Sequence, residues 1–124
     1  MLDGPGGSLI LKYMLNNELD KTFAALADPN RRAMVERLVS GPATVSELAL
    51  PLPMSLSAVM LHLKVLEEAG LVTSHKQGRI RTCRIDPDRL SLAERWVGAR
   101  RMMWEHSLDG LKAYLDETKT ETKK

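Results

Sequence analysis

Hydrophobic residues between Ser55 and Gly70 recur every three or four positions. At about 100° per residue they form one face of a helix, made of Leu56, Val59, Leu63 and Leu66. Serine commonly begins helices and glycine commonly ends them, so the pattern predicts a helix with a core-facing stripe between these two residues. One leucine does not fit, because Leu61 falls on the polar side, between Ser57 and Lys64.

The rest of the chain reads as three further long helices, one short helix and a hairpin. Capping signals and periodicity predict helices from about Ser8 to Ala27, from Asp28 to Gly41, after Thr44, and from Asp86-Pro87 to about Glu117. From Leu71 the residues are rich in β-branched types, and Gln77-Gly78 predicts the turn of a two-stranded hairpin. The predicted fold class is mainly α with a small β-hairpin, a winged helix-turn-helix.

Chain length predicts one domain, since 124 residues are typical of a single core. We expect a flexible tail over residues 1–7, a winged helix-turn-helix domain over 8–117 and a frayed tail over 118–124.

No apolar run is long enough for a membrane span. A lone cysteine favours a reducing compartment, so a cytoplasmic location is expected. Without a phosphate-binding loop or a nucleophile motif, the chain is not expected to be an enzyme.

The polar side of the helix between Ser55 and Gly70 is the predicted reading surface, and we call this helix the recognition helix. In a helix-turn-helix the second helix enters the major groove with its N-terminal turns against the bases. The exposed groups there would be Ser57, Ala58, Leu61 and Lys64. Leu61 would contact a thymine methyl; alternatively it packs on the loop around 51–54 or is simply exposed. His62 would meet a phosphate or serve the structure.

The hairpin, which we call the wing, carries concentrated positive charge on a chain whose net charge is only +2. Its turn presents Lys76, Arg79 and Arg81, which would bind the DNA backbone and release counterions. The alternative is a solvated edge whose charges deter strand pairing. Arg31 and Arg32 begin a helix, where cations oppose the dipole, and this cost suggests a phosphate contact or an ion pair with a glutamate.

The last helix has more apolar surface than a small bundle can cover. Its main stripe comprises Ala93, Val97, Trp104, Leu108, Leu111 and Leu115, and Trp96 lies beside it. Either the helix packs within its own chain, or it pairs with the first helix, including Leu15 and Leu19, in a twofold homodimer. We expect the homodimer.

Two segments carry a family resemblance, "ALADPNRRAMVERLVSGPATVSELA" and "LSAVMLHLKVLEEAGLVTSHKQGR". Together they resemble the ArsR-type (ArsR/SmtB) repressors, and the tail "AERWVGARRMMWEHSLDGLKAYL" looks like a branch that does not sense metals. The resemblance implies a homodimeric repressor that dimerises through its first and last helices. It implies DNA contacts from Ser55, Ser57, Ala58, Leu61 and His62, and from the wing between Lys76 and Arg81, which includes Gln77.

The chain departs from this family pattern at two places. Many relatives carry a small polar residue where Met60 stands and a glutamine or arginine where Leu61 stands, so base preference should shift toward methyl groups. The cysteine pair of metal-sensing relatives is missing from "VSELALP", and Glu105, His106 and Asp109 are poorly spaced for a metal. No metal or other cofactor is therefore predicted.

Cys83 lies between Arg81 and Arg84 on the second wing strand. Those cations would lower the pKa of its thiol and make it a redox sensor, although an isolated cysteine is more often inert.

These observations predict a double-stranded DNA-binding transcriptional regulator, a homodimeric repressor of a pseudo-palindromic operator. An unknown small molecule is a possible effector. The alternative is a winged-helix module that binds protein, which would account for the exposed Leu61 and the low net charge.

Overall fold

The computed structural model describes the backbone of residues 5–122 and the side chains of residues 9–118. Its helices are α1 (Pro5–Leu26), α2 (Pro29–Val39), α3 (Val45–Ala49), α4 (Leu56–Glu68) and α5 (Pro87–Thr122). Its strands are β1 (Ala43–Thr44), β2 (Val72–Gln77) and β3 (Ile80–Ile85). The predicted class, mainly helical with a small antiparallel wing, is confirmed, and α4 is the recognition helix.

Three polar side chains begin helices where the sequence predicts them. The Asp28 carboxylate accepts hydrogen bonds from the backbone N–H groups of Asn30 and Arg31, at 3.0 and 3.1 Å, at the start of α2. The hydroxyls of Thr44 and Ser55 each accept one backbone N–H bond, at 3.2 Å, at the starts of α3 and α4. Each bond satisfies a donor that has no partner inside its helix.

The sheet has three strands in the order β1-β3-β2, where the sequence predicted two. The added strand contains only Ala43 and Thr44, which pair with Cys83 and Thr82. Two residues are too few to show an alternating pattern, and this is why β1 was missed. The wing turn also moves by one residue, because Gln77 pairs with Ile80 and leaves Gly78-Arg79 as the loop.

The hydrophobic core lies where α2, α3, α4 and the sheet meet. Its largest fully buried side chains include Met34, Leu38, Leu48, Leu63, Leu66 and Leu71. Leu56 was predicted to belong to this core, but 57% of it is exposed. As the first residue of α4 it lies on the flank toward the wing, while Val59, Leu63 and Leu66 fill the core.

The predicted domain limits differ from the observed helix ends. Helix α1 begins at Pro5 and α5 ends at Thr122, so helix extends into both predicted tails, whose outermost residues, 1–4 and 123–124, lie outside the described part. The chain divides into two compact units, of which one ends at Ala93 and the other begins at Glu94. The first contains the core, the recognition helix and the wing, and the second contains the remainder of α5.

Candidate nucleic-acid interface

The exposed side of α4 presents three of the predicted DNA-contacting residues to solvent. Ser57, Leu61 and Lys64 are exposed, and Ala58 at the flank is half-buried. Leu61 is 67% exposed, so it does not pack onto the loop that precedes α4. Ser55 stands at the head of the same helix as its N-cap. The recognition helix thus turns a largely uncharged surface outward at its N-terminal end.

A groove of about 670 Å³ separates this surface from the wing. It is lined by Ser57, Met60, Leu61, Leu63, Lys64, Glu67 and Arg81. The structure therefore brings together four residues that the sequence predicted separately, three from α4 and Arg81 from β3. Met60 and Glu67 were not predicted, although both lie on the flank of α4 adjacent to the predicted reading residues.

Arg81 is held in place by a chain of hydrogen bonds between the wing and the recognition helix. Its guanidinium donates to the Ser74 hydroxyl at 2.9 Å, and that hydroxyl donates to the Glu67 carboxylate. Arg81 is half-buried, so it is a fixed wall of the groove and not a free arm of the wing as predicted. These hydrogen bonds set the position of the wing relative to α4 at this point.

A second groove, of about 470 Å³, lies between the wing and the N-terminal ends of α3 and α4. Lys76 and Arg79 line it together with Leu56, Met60 and Ile80. Lys76, Gln77 and Arg79 are all exposed, as a backbone-binding wing requires, but Gln77 lines neither groove. Ile80 was missed, and an exposed β-branched residue inside a charged hairpin is the signal that could have found it.

Arg31 and Arg32 prove to serve the preceding helix. Arg31 donates to the carbonyls of Ala25 and Ala24, at 2.7 and 3.2 Å, and Arg32 donates to Leu26, at 2.8 Å. These carbonyls belong to the last turn of α1, where no further turn supplies helical N–H donors and the helix dipole is negative. The Ala24 carbonyl also accepts from the backbone N–H of Ala27, at 3.2 Å. The unfavourable interaction of these cations with the dipole of α2 is therefore offset by their attraction to the C-terminal end of α1. Neither the expected phosphate contact nor the expected ion pair with a glutamate is needed to explain them.

His62 is tied to the same junction. Its Nδ1 lies 3.3 Å from the Arg31 guanidinium and 3.9 Å from the Asp28 carboxylate. The structural alternative for this residue is favoured over phosphate contact. Asp28 is an acid of lowered pKa, chiefly because the backbone N–H of Arg31 donates to its carboxylate, with further contributions from the charges of His62 and Arg31.

Cys83 does not have the environment of a redox sensor. It is fully buried, and burial, reinforced by the negative charge of Glu67, raises the pKa of its thiol despite the opposing effect of Arg81. The structure favours the inert alternative over the redox sensor, because Cys83 faces the core while Arg84, its neighbour in sequence, lies on the exposed face of the sheet. A buried, protonated thiol is a poor nucleophile.

The residues predicted to form a dimer interface divide into two groups. Leu19 is only 7% exposed within its own chain, so its assignment to the interface is corrected: it has almost no surface left to bury. The others keep large exposed fractions, from 40% to 64%, and are Leu15, Trp96, Val97, Trp104, Leu108, Leu111 and Leu115. The Arg100 guanidinium covers part of the Trp96 ring at 4.8 Å.

The part of the chain that the structure describes has neither a metal-binding cluster nor a membrane-spanning helix. There, no three His, Cys, Asp or Glu side chains converge closely enough to hold a metal ion. None of the helices described combines the length and apolar character that crossing a bilayer requires.

The sequence and structure are similar to those of known regulators. Residues 26–75 match the family model described as a helix-turn-helix domain. An HTH-type transcriptional regulator of Mycobacterium tuberculosis, Rv2034, is 40% identical over 103 residues, which is 83% of this chain and 94% of the relative.

Solved structures give the same picture. The crystal structure of an ArsR family transcriptional regulator is 47% identical with a TM-score of 0.69, over 73% of this chain and 93% of that one. The homodimeric winged helix-turn-helix DNA-binding domain of a possible ArsR-family regulator from Mycobacterium bovis is 26% identical with a TM-score of 0.60, over 77% and 90%. This chain therefore belongs to the ArsR family of winged helix-turn-helix transcriptional regulators.

Proposed function

We propose that this regulator is a homodimeric repressor that binds a pseudo-palindromic operator in double-stranded DNA and acts in the cytoplasm. The observation that carries the proposal is the placement of the exposed face of α4 opposite Arg81 of the wing, across a groove that both elements line. Lys76 and Arg79 of the wing line the second groove, beside the N-terminal end of the same helix. The M. bovis relative is described as a homodimeric DNA-binding domain, which supports the same assembly and ligand.

Charge around the groove favours the DNA backbone as a partner. Lys64 stands on the recognition helix, and Lys76, Arg79 and Arg81 stand on the wing. With the helix in the major groove, the exposed wing cations would reach the flanking phosphates and release condensed counterions. Such contacts orient the protein but do not read sequence, so specificity falls to the N-terminal half of α4.

A second copy of the chain would place two recognition helices on one duplex. Exposed apolar side chains on α1 and on α5 are available to bury against the partner. Two helices related by a twofold axis read half-sites about one helical turn apart, roughly 34 Å. A dimer bound in this way covers promoter DNA and excludes the polymerase, which is the physical basis for proposing repression.

Fluorescence anisotropy of the full chain on its own upstream DNA, over a salt series, tests the proposal. We expect binding that prefers this duplex to a scrambled one and weakens steeply with salt. Arg79→Ala should weaken binding to all duplexes alike and lower the salt slope by about one. Lys112→Ala, an exposed cation of α5, is the matched control and should change neither.

Docking of a protein is the second candidate, favoured by the exposed apolar side chains between α4 and the wing. Leu56, Met60, Leu61 and Ile80 are 57%, 40%, 67% and 59% exposed. Weak, sequence-independent and salt-insensitive binding to every duplex offered, including a random-sequence pool, would favour this function over the first.

A further inference from the structure

We infer that the reading surface recognises the C5-methyl groups of thymine through an apolar strip made of Leu56, Met60, Leu61 and Ile80. The inference rests on the proposed DNA-binding function and names the feature of the DNA that this surface reads. Leu61 alone was suspected from the sequence, and the structure extends it into a strip that crosses from the recognition helix to the wing.

The members of the strip line two grooves that share Met60. Met60 lines both grooves, Leu61 lines the first, and Leu56 and Ile80 line the second. Each keeps at least 40% of its surface exposed. Three of the four stand in the first two turns of α4, which is the part of a recognition helix that meets base edges.

Hydrogen-bonding groups are scarce on the same part of the helix. Between 56 and 61 Ser57 has the only side chain that donates or accepts. Ser55 just before it caps the helix, and His62 just after it lies against Arg31 and Asp28. The groups that usually distinguish guanine and adenine, a bidentate arginine or amide, are therefore missing from these turns.

Thymine provides the one apolar group that base pairs display in the major groove, its C5-methyl. An apolar strip that faces bases gains free energy from this methyl and from little else on a base edge. Cations flank the strip on both sides, Lys64 on the helix and Lys76, Arg79 and Arg81 on the wing. This charge complements a polyanion and holds the strip against the bases.

Replacing thymine by deoxyuridine removes the methyl and leaves the Watson–Crick pairing and the groove hydrogen-bond groups unchanged. The full chain is first used to select its preferred duplexes from a library with a random core. Each thymine of a selected duplex is then replaced by uracil, and its Kd is measured by anisotropy. At the thymines that the strip contacts we expect a loss of about threefold to fivefold per methyl, and at flanking thymines no loss.

Variants assign the effect to the strip. Leu61→Ala should abolish the thymine-over-uracil preference at one position of each half-site, and Leu61→Gln should bind but be indifferent to the methyl there. Val39→Ala, which shortens an exposed residue of α2 that lines neither groove, should retain the full preference.

The outcomes separate the inference from the function on which it rests. Selective, salt-steep binding with equal affinity for thymine and uracil duplexes would overturn methyl recognition and leave the DNA-binding function standing. A methyl preference unchanged by Leu61→Ala would overturn the role of the strip. If no library duplex is bound selectively and with salt dependence, the proposed function itself fails, and the strip is a protein-docking surface.

Discussion

At the scale of single residues, the role of Arg31 and Arg32 depends on the groups that lie near them in space. Arg31 and Arg32 are unfavourable at the start of α2, and on the sequence alone this suggested a DNA contact. In the structure their guanidinium groups donate to Ala24, Ala25 and Leu26 at the end of α1. The two helix ends lie close together across the short connection at Asp28, so one pair of side chains serves the C-terminus of one helix from the N-terminus of the next.

Replacing Arg31 with alanine should lower the free energy of unfolding by about 1–2 kcal/mol, because it removes charge-assisted bonds to the carbonyls of Ala25 and Ala24 at the end of α1. Arg32→Ala removes a single exposed bond and should cost less. Urea unfolding measures both changes. If Arg31→Ala instead leaves stability unchanged and reduces the salt slope of DNA binding, the residue is a phosphate contact after all.

Cys83 should behave as a core residue. Since the pKa of its thiol is raised in the folded chain, the neutral thiol contributes stability that is complete below the unfolded pKa of about 8.5. That contribution is lost as pH rises through the folded pKa. Cys83→Ser should lower the free energy of unfolding by about 1–3 kcal/mol, because it buries a hydroxyl that has no hydrogen-bond partner in the core. Cys83→Ala should lower it less.

Two measurements test this account of Cys83. Urea unfolding from pH 7 to pH 10 should show an alkaline loss of stability in the native chain that is smaller in Cys83→Ala. Alkylation by a thiol reagent should be slow in the native chain at neutral pH and fast in urea. Rapid alkylation without unfolding would contradict the buried placement and revive a redox role.

Among the elements, the recognition helix and the wing depend on two glycines with positive φ. Gly70, at φ +79°, ends α4 with hydrogen bonds from its own N–H to Glu67 and from Leu71 to Leu66. Gly78, at φ +65°, opens the two-residue turn of the wing. A side chain at either position strains the backbone, but their surroundings differ. A Cβ at Gly70 would lie 2.8 Å from the Arg89 guanidinium, whereas one at Gly78 would meet open space.

Alanine at Gly78 should therefore cost the backbone strain alone, about 1–2 kcal/mol. Alanine at Gly70 should cost more, because Arg89 must also move away from its ion pair with Glu18, at 3.4 Å. Thermal or urea unfolding of the two variants, with Gly98→Ala in α5, where a Cβ meets nothing, as the unstrained control, measures the difference. Equal losses at Gly70 and Gly78 would show that Arg89 moves without cost.

For the whole molecule, the decisive property is how much apolar surface one chain leaves exposed. Trp104, Leu108, Leu111 and Leu115 recur at helical spacing along α5, and each is at least 44% exposed. A stripe of this kind is typical of a surface that is covered in an assembly. The proposed partner of this stripe is a second chain.

Leu111→Asp should convert the dimer to a monomer in analytical ultracentrifugation, because a carboxylate would be buried in an apolar interface. Operator affinity should fall by about 10²-fold or more, since each monomer then engages only one half-site. Met102→Asp is the matched control: it is 70% exposed on the same helix and lies half a turn around from Leu111. Loss of the dimer in both variants, or in neither, would contradict the proposed interface.

Much of the fold was predictable because it depends on neighbouring residues. Helix caps at Asp28, Thr44 and Ser55 form bonds within three residues, so their chemistry is visible in a short segment. The same holds for the core stripe at Val59, Leu63 and Leu66, which follows from helical period. The order of the helices and the wing, and the exposed position of Leu61, could therefore be predicted.

Only the tertiary structure decided the features that join distant segments. Strand β1 exists because Ala43 meets Cys83, and Leu19 and Cys83 are buried because other elements cover them. The partners of Arg81, and the apolar strip from Leu56 to Ile80, depend on where the wing folds back along α4. The local sequence pattern determines where each helix lies along the chain and which of its faces is apolar. Contacts between segments that are dozens of residues apart determine which exposed face remains to read DNA.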